Sequence, residues 1–378
     1  MRATPLAGPP SPSACISISS PLPHFADVVV IGGGIIGLSC AWQLLRLGKS
    51  VVVLDPSPAS GASFVAGGML GATAETTFSE AGSVDRHLFA RAEWDPFLRD
   101  LSEDFGTSLP YASTSTVVVG VNRSDLAEID HLVTFQRSLN LQVATLGREA
   151  LDQLVPGLGR SLRQGFHLVD DAAVDNRLIL RALLDVIDRL NGHLVHESAE
   201  HLDRSANGFT VNTSGGAIST SHVVVATGAA PGVLGAIKFP SIHPVSGVIL
   251  RLTPRASTLR VTTTMRAIVN GRPCYFVPRS NGELVLGATS VERGYDLSVT
   301  AGELHQLLDD ARIVFPSIDD YSVQDVEVGL RPTTVDHNPV VATIEPGVTV
   351  ALGHYRNGFL LAPATAKRVA GLVSGSTS

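Results

Sequence analysis

The sequence predicts an α/β protein joined to a second, α+β part built mainly on antiparallel sheet. Three observations carry this expectation. A β-branched run at 28–31 leads through a cluster of glycines into a helical pattern and a second β-branched run at 51–54, the strand–helix–strand order of a parallel sheet. A further buried-strand run at 222–226 ends near a glycine in the same way. Charged residues make up 17% of the 378 residues, below the typical ~25%. The chain is therefore mostly interior, and long enough for two or three domains of ~150 residues each.

Each element has a local cause. The run at 28–31 (Val-Val-Val-Ile) reads as a strand buried on both faces. Gly32 permits a tight turn, Gly34 lets the backbone approach a pyrophosphate, and Gly37 lets the next helix pack close to the strand. That helix, at 38–47, is stopped by Gly48, and its N-terminus offers unpaired N–H groups and a positive dipole end to phosphate. The strand at 51–54 ends in Asp55, whose carboxylate suits ribose hydroxyls and repels a 2′-phosphate, so NADP is disfavoured. Strand, glycines, helix, strand and acid in this order supply the context that a bare GxGxxG match lacks. They identify a Rossmann-like domain, with Gly32, Gly34, Ile35, Ile36, Gly37 and Asp55 as candidate nucleotide contacts.

The stretch 61–70 is small, glycine-dense and aperiodic, and reads as a loop pressed against something flat; Ser63, Gly67, Gly68 and Met69 are its candidate contacts. Thr227 and Gly228 close the 222–228 segment. Two nucleotide-facing segments so far apart suit a long cofactor, FAD, better than NAD. Farther along, 178–190 reads as a helix opened by Asp175 and ended by Asn191 and Gly192. Runs at 245–252 and around Tyr275 and Leu284 read as antiparallel strands, and 358–372 reads as a helix with Pro363 in its first turn, where proline is tolerated.

Composition excludes several classes. Net charge is −7 without a long basic run, which argues against a nucleic-acid binder. Three cysteines, Cys15, Cys40 and Cys274, make neither a dense disulfide framework nor a metal-ligand spacing. His193 and His196 lie in an ordinary strand region, so no metal site is expected, and the acid pairs at 170–171, 309–310 and 319–320 read as exposed. No apolar run is long and unbroken enough to span a membrane. Residues 1–25, rich in Ser and Pro, read as a disordered extension or an over-early start codon; organelle targeting stays open, but the single Arg2 and the lack of an apolar stretch weaken it, and a cytoplasmic location is expected.

Several motifs now converge. Gly32 to Gly37 with Asp55, the small-residue stretch ending Gly68-Met69-Leu70, and Val223 to Gly228 resemble the D-amino-acid-oxidase-like flavoproteins. The segments Tyr275-Phe276-Val277-Pro278-Arg279, Gly329-Leu330-Arg331-Pro332 and Gly353 to Thr365 are similar to the glycine oxidases of thiamine biosynthesis within that family. The resemblance runs in order from 26 to about 372. It departs at Asp55, where many relatives carry Glu, at 333–339, where a glycine-rich stretch is usual, and at Ser290, where some place Met.

The resemblance implies FAD as cofactor and oxidation of glycine or another small amino acid (sarcosine, D-amino acids) to the imine. A hydride passes to flavin N5, O2 is reduced to H2O2, and a role in thiamine thiazole synthesis follows. Arg331 matches the family's carboxylate clamp, a task for which a planar guanidinium is suited; an ion pair with Asp336 is the alternative. The Tyr275 hydroxyl helps hold the same carboxylate, or bonds backbone as a core tyrosine. Arg356 supports the clamp or balances charge near the flavin, and Asn357, Gly358, Phe359 and Leu360 bring a helix N-terminus to the flavin. An FAD-binding domain assembled from 26–75, 160–235 and 328–378 is expected, with 76–159 and 236–327 as the substrate domain. A dehydrogenase passing electrons to a quinone or protein, and a non-catalytic FAD-bound protein, are the alternative readings. A homo-oligomer is left open.

Overall fold

The computed structural model describes residues 22–206, 208–230, 233–234 and 237–375. Most of the expected N-terminal extension lies outside this range; at its end, Phe25 already begins the strand Phe25–Ile31.

The first sheet has eight strands. Its centre is parallel: Phe25–Ile31 lies between Val51–Leu54 and the C-terminal half of Gly216–Val225, and Val348–Leu352 pairs with Val223, Val224 and Val225 from the other side. Their paired central runs, Val28 to Ile31, Val51 to Leu54 and Val223 to Val225, are apolar and buried, and Val348–Leu352 is buried with Thr349 as its one polar residue, as sheets covered on both faces require. Because they run the same way, their C-terminal ends deliver Gly32, Asp55, Ala226 and Gly353 to one edge, the place where open parallel sheets bind ligands. The helix Ile35–Arg46 packs on this sheet together with Asn176–Arg189 and Gly358–Ser374, around a core that includes Trp42 and Trp94.

The second sheet also has eight strands, in the order Tyr321–Thr333, His243–Pro254, Leu284–Gly287, Arg272–Pro278, Thr264–Val269, Thr116–Gly120, Gln164–Leu168 and Val143–Gly147. All neighbours are antiparallel except Thr264–Val269 with Thr116–Gly120. The expected strands at 245–252 and around Tyr275 and Leu284 all lie in it.

Three local expectations need correction. The stretch 61–70 is not a loop throughout: Gly61–Val65 is a short helix and Met69–Leu70 a strand paired with Ala172–Val174. Pro363 is inside Gly358–Ser374 rather than in its first turn. Its missing N–H orphans the Phe359 carbonyl, and the Trp94 indole replaces it, donating to the Phe359 and Leu360 carbonyls at 3.1 Å. Finally, Asp171 and Asp310 are buried. Asp310 accepts from Arg272 at 2.7 and 2.9 Å, and Asp171 accepts the N–H groups of Thr73 and Ala74 at 2.8 and 3.2 Å. Polar sequence context does not reveal a carboxylate that folds inward to meet such partners.

Candidate active site

The glycine turn is shaped by close approach. Gly32 sits at φ +109°, and a β-carbon on Gly37 would lie 1.8 Å from the Gly32 carbonyl oxygen. The helix therefore begins against the strand end, and among the described residues the N–H groups of Ile36 and Gly37 meet no acceptor. The Ile35 N–H donates to Ser63 Oγ at 3.0 Å, while Asp55 accepts from Gly33 N–H at 2.6 Å and Ser57 N–H at 2.7 Å. Asp55 thus braces the turn through both oxygens, each of which keeps a lone pair for a further donor.

The segment after Gly61 is held from beneath by polar groups whose importance the sequence did not disclose. Asn176 Nδ2 donates to the Ser63 and Phe64 carbonyls at 2.9 and 2.8 Å. Its Oδ1 accepts from Arg251 and Arg279, and Arg279 also donates to the Gly67 carbonyl at 2.9 Å. Burial pushes Arg279 down to about 10, yet it stays charged at neutral pH. The signal was in part visible: Arg279 ends the Tyr-Phe-Val-Pro-Arg run.

Between the two sheets runs a cavity of about 790 Å³. At one end it is lined by Gly32, Gly34, Ile35, Ile36, Asp55, Ser63, Thr227 and Gly228; along it lie Gly67, Gly68, Met69, Asn357, Gly358 and Phe359; Tyr275, Arg331 and Arg356 line it as well. The structure therefore brings most of the expected contacts to one space. Gly37 and Leu360 stand just behind it, in the helices whose first turns line it.

Arg331 projects from the edge strand Tyr321–Thr333. Its guanidinium donates to the Thr289 and Ser246 carbonyls at 3.2 and 3.4 Å, and among the described residues no carboxylate pairs with it. Asp336 is occupied elsewhere, by Thr334 and Asn338. Tyr275 stands in the cavity wall between Gly67 and Gly287: a β-carbon on either would come within 3.2 or 2.4 Å of its ring. Among the described residues no hydrogen bond reaches its hydroxyl. Burial pushes that hydroxyl's pKa up, against the pull of Arg331 and Arg266, so it remains a neutral donor.

Arg356 does not reach for the clamp. It pairs through Nε with Glu75 Oε2 at 2.5 Å, and Arg266 pairs with Glu75 Oε1 at 2.6 Å. Burial alone would raise the Glu75 carboxyl, but the two guanidiniums pull it down to about 2, so it is ionised. Glu75 and Arg266 were missed: each lies in a segment without spacing or motif, and only the fold brings Arg266 opposite Tyr275 in the strand register.

The buried turn, the unpaired N–H groups and the cavity meet what an extended dinucleotide needs. A match of residues 27–372 to the family model described as FAD-dependent oxidoreductase, DAO, decides the matter. The chain belongs to the DAO family of FAD-dependent oxidoreductases. It is similar to a family member named glycine oxidase in Geobacillus kaustophilus, 30% identical over 93% of this chain and 93% of that protein. A crystal structure of the glycine oxidase from that organism superposes with a TM-score of 0.86 at 29% identity, over 94% of this chain and 96% of that one. It is also 31% identical over 92% of its length to the bifunctional protein ThiO/ThiG of a Nostoc species, but spans only about half, 52%, of that longer protein. FAD is therefore the cofactor, and the residues present fit it. Gly32, Gly34, Ile36 and Asp55 line the cavity where its nucleotide end would lie, and Gly67, Met69 and the first turn of Gly358–Ser374 line it where its ring would lie. Among the described residues no helix is long and apolar enough to cross a membrane.

Proposed function

We propose that the protein oxidises glycine or another small primary or secondary amino acid to its imine, with O2 as acceptor and H2O2 as product. One observation carries the reading: Arg331 is a guanidinium in the wall of the cavity with carbonyls for partners and, among the described residues, no carboxylate. A guanidinium left in that state is one that a ligand carboxylate completes.

When bound, FAD supplies the two-electron acceptor. The chain's part is placement. Arg331 takes the substrate carboxylate, and the neutral Tyr275 hydroxyl supplies a second donor to it. The amine loses its proton to solvent rather than to Glu75, because a carboxyl held at about 2 by two guanidiniums is a poor base. In this reading the first sheet with its helices forms the FAD domain and the second sheet the substrate side, which then includes the strands Gln164–Leu168 and Tyr321–Thr333. The imine product would serve thiamine thiazole synthesis, as the resemblance implies.

The test is to mix the yellow protein anaerobically with glycine, sarcosine and D-alanine. Bleaching of the flavin by at least one is expected, followed by peroxide release on admitting oxygen. Absence of bleaching with all three overturns the reading; bleaching that only a dye acceptor reverses converts the oxidase into a dehydrogenase.

A further inference from the structure

Among the described residues two acidic side chains line the cavity, Asp55 at the end by the glycine turn and Glu75 at the end walled by the second sheet. Glu75 is held in place from both sides. The Asp171 carboxyl group accepts the N–H groups of Thr73 and Ala74, and the buried Gln136 amide donates to the Thr73 and Thr76 carbonyls at 2.9 and 3.1 Å. The turn so fixed sends a carboxylate, 8% exposed, between two guanidiniums, one on each oxygen. Arg266, Glu75 and Arg331 all act electrostatically on the Tyr275 hydroxyl, so this triad and the open guanidinium share one neighbourhood.

The cavity therefore contains three guanidiniums and a carboxylate of its own that occupies two of them. We propose that Glu75 determines specificity: it is a built-in counter-ion that occupies Arg266 and Arg356, so that the pocket accepts amino acids with one carboxylate and rejects those with a second. The inference rests on the proposed amino-acid site, since it concerns which carboxylates that site admits. A substrate with one carboxylate needs only Arg331. A second carboxylate would find the other two cations taken and would approach Glu75 at like charge, a discrimination by repulsion rather than by fit. Ionised at neutral pH, Glu75 exerts this repulsion throughout the working range.

The experiment reads binding apart from turnover. The FAD-loaded protein is titrated with acetate, malonate and succinate, and the visible flavin spectrum reports each Kd. In the wild type the dicarboxylates bind more weakly than acetate. Glu75→Gln removes the charge and keeps the size, and the ratio of dicarboxylate to acetate Kd should fall by about tenfold or more, since like-charge juxtaposition costs several kcal/mol. The kcat/KM ratio of iminodiacetate to sarcosine should rise in parallel.

If Glu75 only stiffens the fold, all three acids weaken together, the ratio stays put, and the proposal is overturned. Should Glu75→Gln fail to hold FAD, Arg266→Met carries the test. It removes a cation while Glu75 stays paired with Arg356, so the ratio must rise; an unchanged or lower ratio overturns the proposal. Wild-type protein that no amino acid bleaches, but that still discriminates acetate from malonate in a Glu75-dependent way, would sink the proposed oxidation and leave this inference standing.

Discussion

Gly247 and Arg331 compete for one space: a β-carbon on Gly247 would lie 2.4–2.6 Å from the guanidinium of Arg331. The strand register explains why. Gly247 faces Gly329 and Val245 faces Arg331 across the same ladder, so the Arg331 side chain lies back over the gap that two glycines leave. The absence of a side chain at 247 is what lets the guanidinium rest on the Ser246 and Thr289 carbonyls.

Gly247→Ala is expected to leave FAD content unchanged and to shift Tm little, because the clashing atoms are the mobile end of a long side chain. It should still displace the guanidinium and weaken glycine binding by about tenfold or more, as misplacing a positioning group does. Anaerobic flavin bleaching against glycine concentration measures this. Unchanged affinity would show that the guanidinium has a second resting place.

Arg331→Ala removes the proposed clamp outright. The protein should stay yellow and lose about 2–5 kcal/mol of carboxylate affinity, the range for one partner of a buried charged contact. Arg331→Lys should fall between, retaining charge but not the fork. Loss of FAD in both variants would instead assign Arg331 to the fold.

Much of the candidate nucleotide end was legible because its geometry is local. Gly32, Gly34, Gly37 and Asp55 lie within one strand–helix–strand unit, and sequence order alone puts them together. Tyr275 and Arg331 stood out only through family resemblance, since nothing in their own neighbourhoods distinguishes the proposed clamp from a core tyrosine or a surface ion pair. Glu75, Arg266 and Gly247 were not legible at all. Each owes its place to contacts between distant segments: Glu75 to the Asp171 and Gln136 brackets, Arg266 to its register against Tyr275, Gly247 to a side chain arriving from another strand. Pro363 was misplaced for the same reason, because the indole that compensates for it comes from Trp94.

That compensation gives a third prediction. Trp94→Phe keeps most of the buried ring but removes the N–H, leaving the Phe359 and Leu360 carbonyls without their indole donor. A loss of about 1–3 kcal/mol is expected, the usual cost of an unsatisfied buried group. Pro363→Ala restores a main-chain N–H able to donate to the Phe359 carbonyl, so the double variant should recover part of the loss. Urea midpoints of the four proteins form the cycle; strictly additive effects would show that the indole and the proline are unrelated.

The last prediction concerns pH. Burial raises the Asp171 carboxyl from 3.8 to about 7, despite the Thr73 and Ala74 N–H groups that pull it down. Between those values the folded protein keeps a proton that the unfolded chain has released. Stability therefore declines as pH rises through the window, by at most about 1.4 kcal/mol per pH unit, and levels off above it. Glu75, held at about 2 from an ordinary 4.5, overlaps only the acid end of this window: its contribution is present above 4.5 and is lost as pH falls toward 2. The buried His354 and His222, pushed down to about 3 and about 4, share the sign of Glu75 and oppose Asp171, costing stability as pH falls below 6.5. The observable is therefore the difference between Asp171→Asn and wild type, in which the histidines cancel. Urea unfolding at pH 5, 6, 7 and 8 should show the variant gaining on the wild type up to about pH 7 and no further. A difference independent of pH would mean that Asp171 is ionised throughout and that its two N–H donors outweigh its burial.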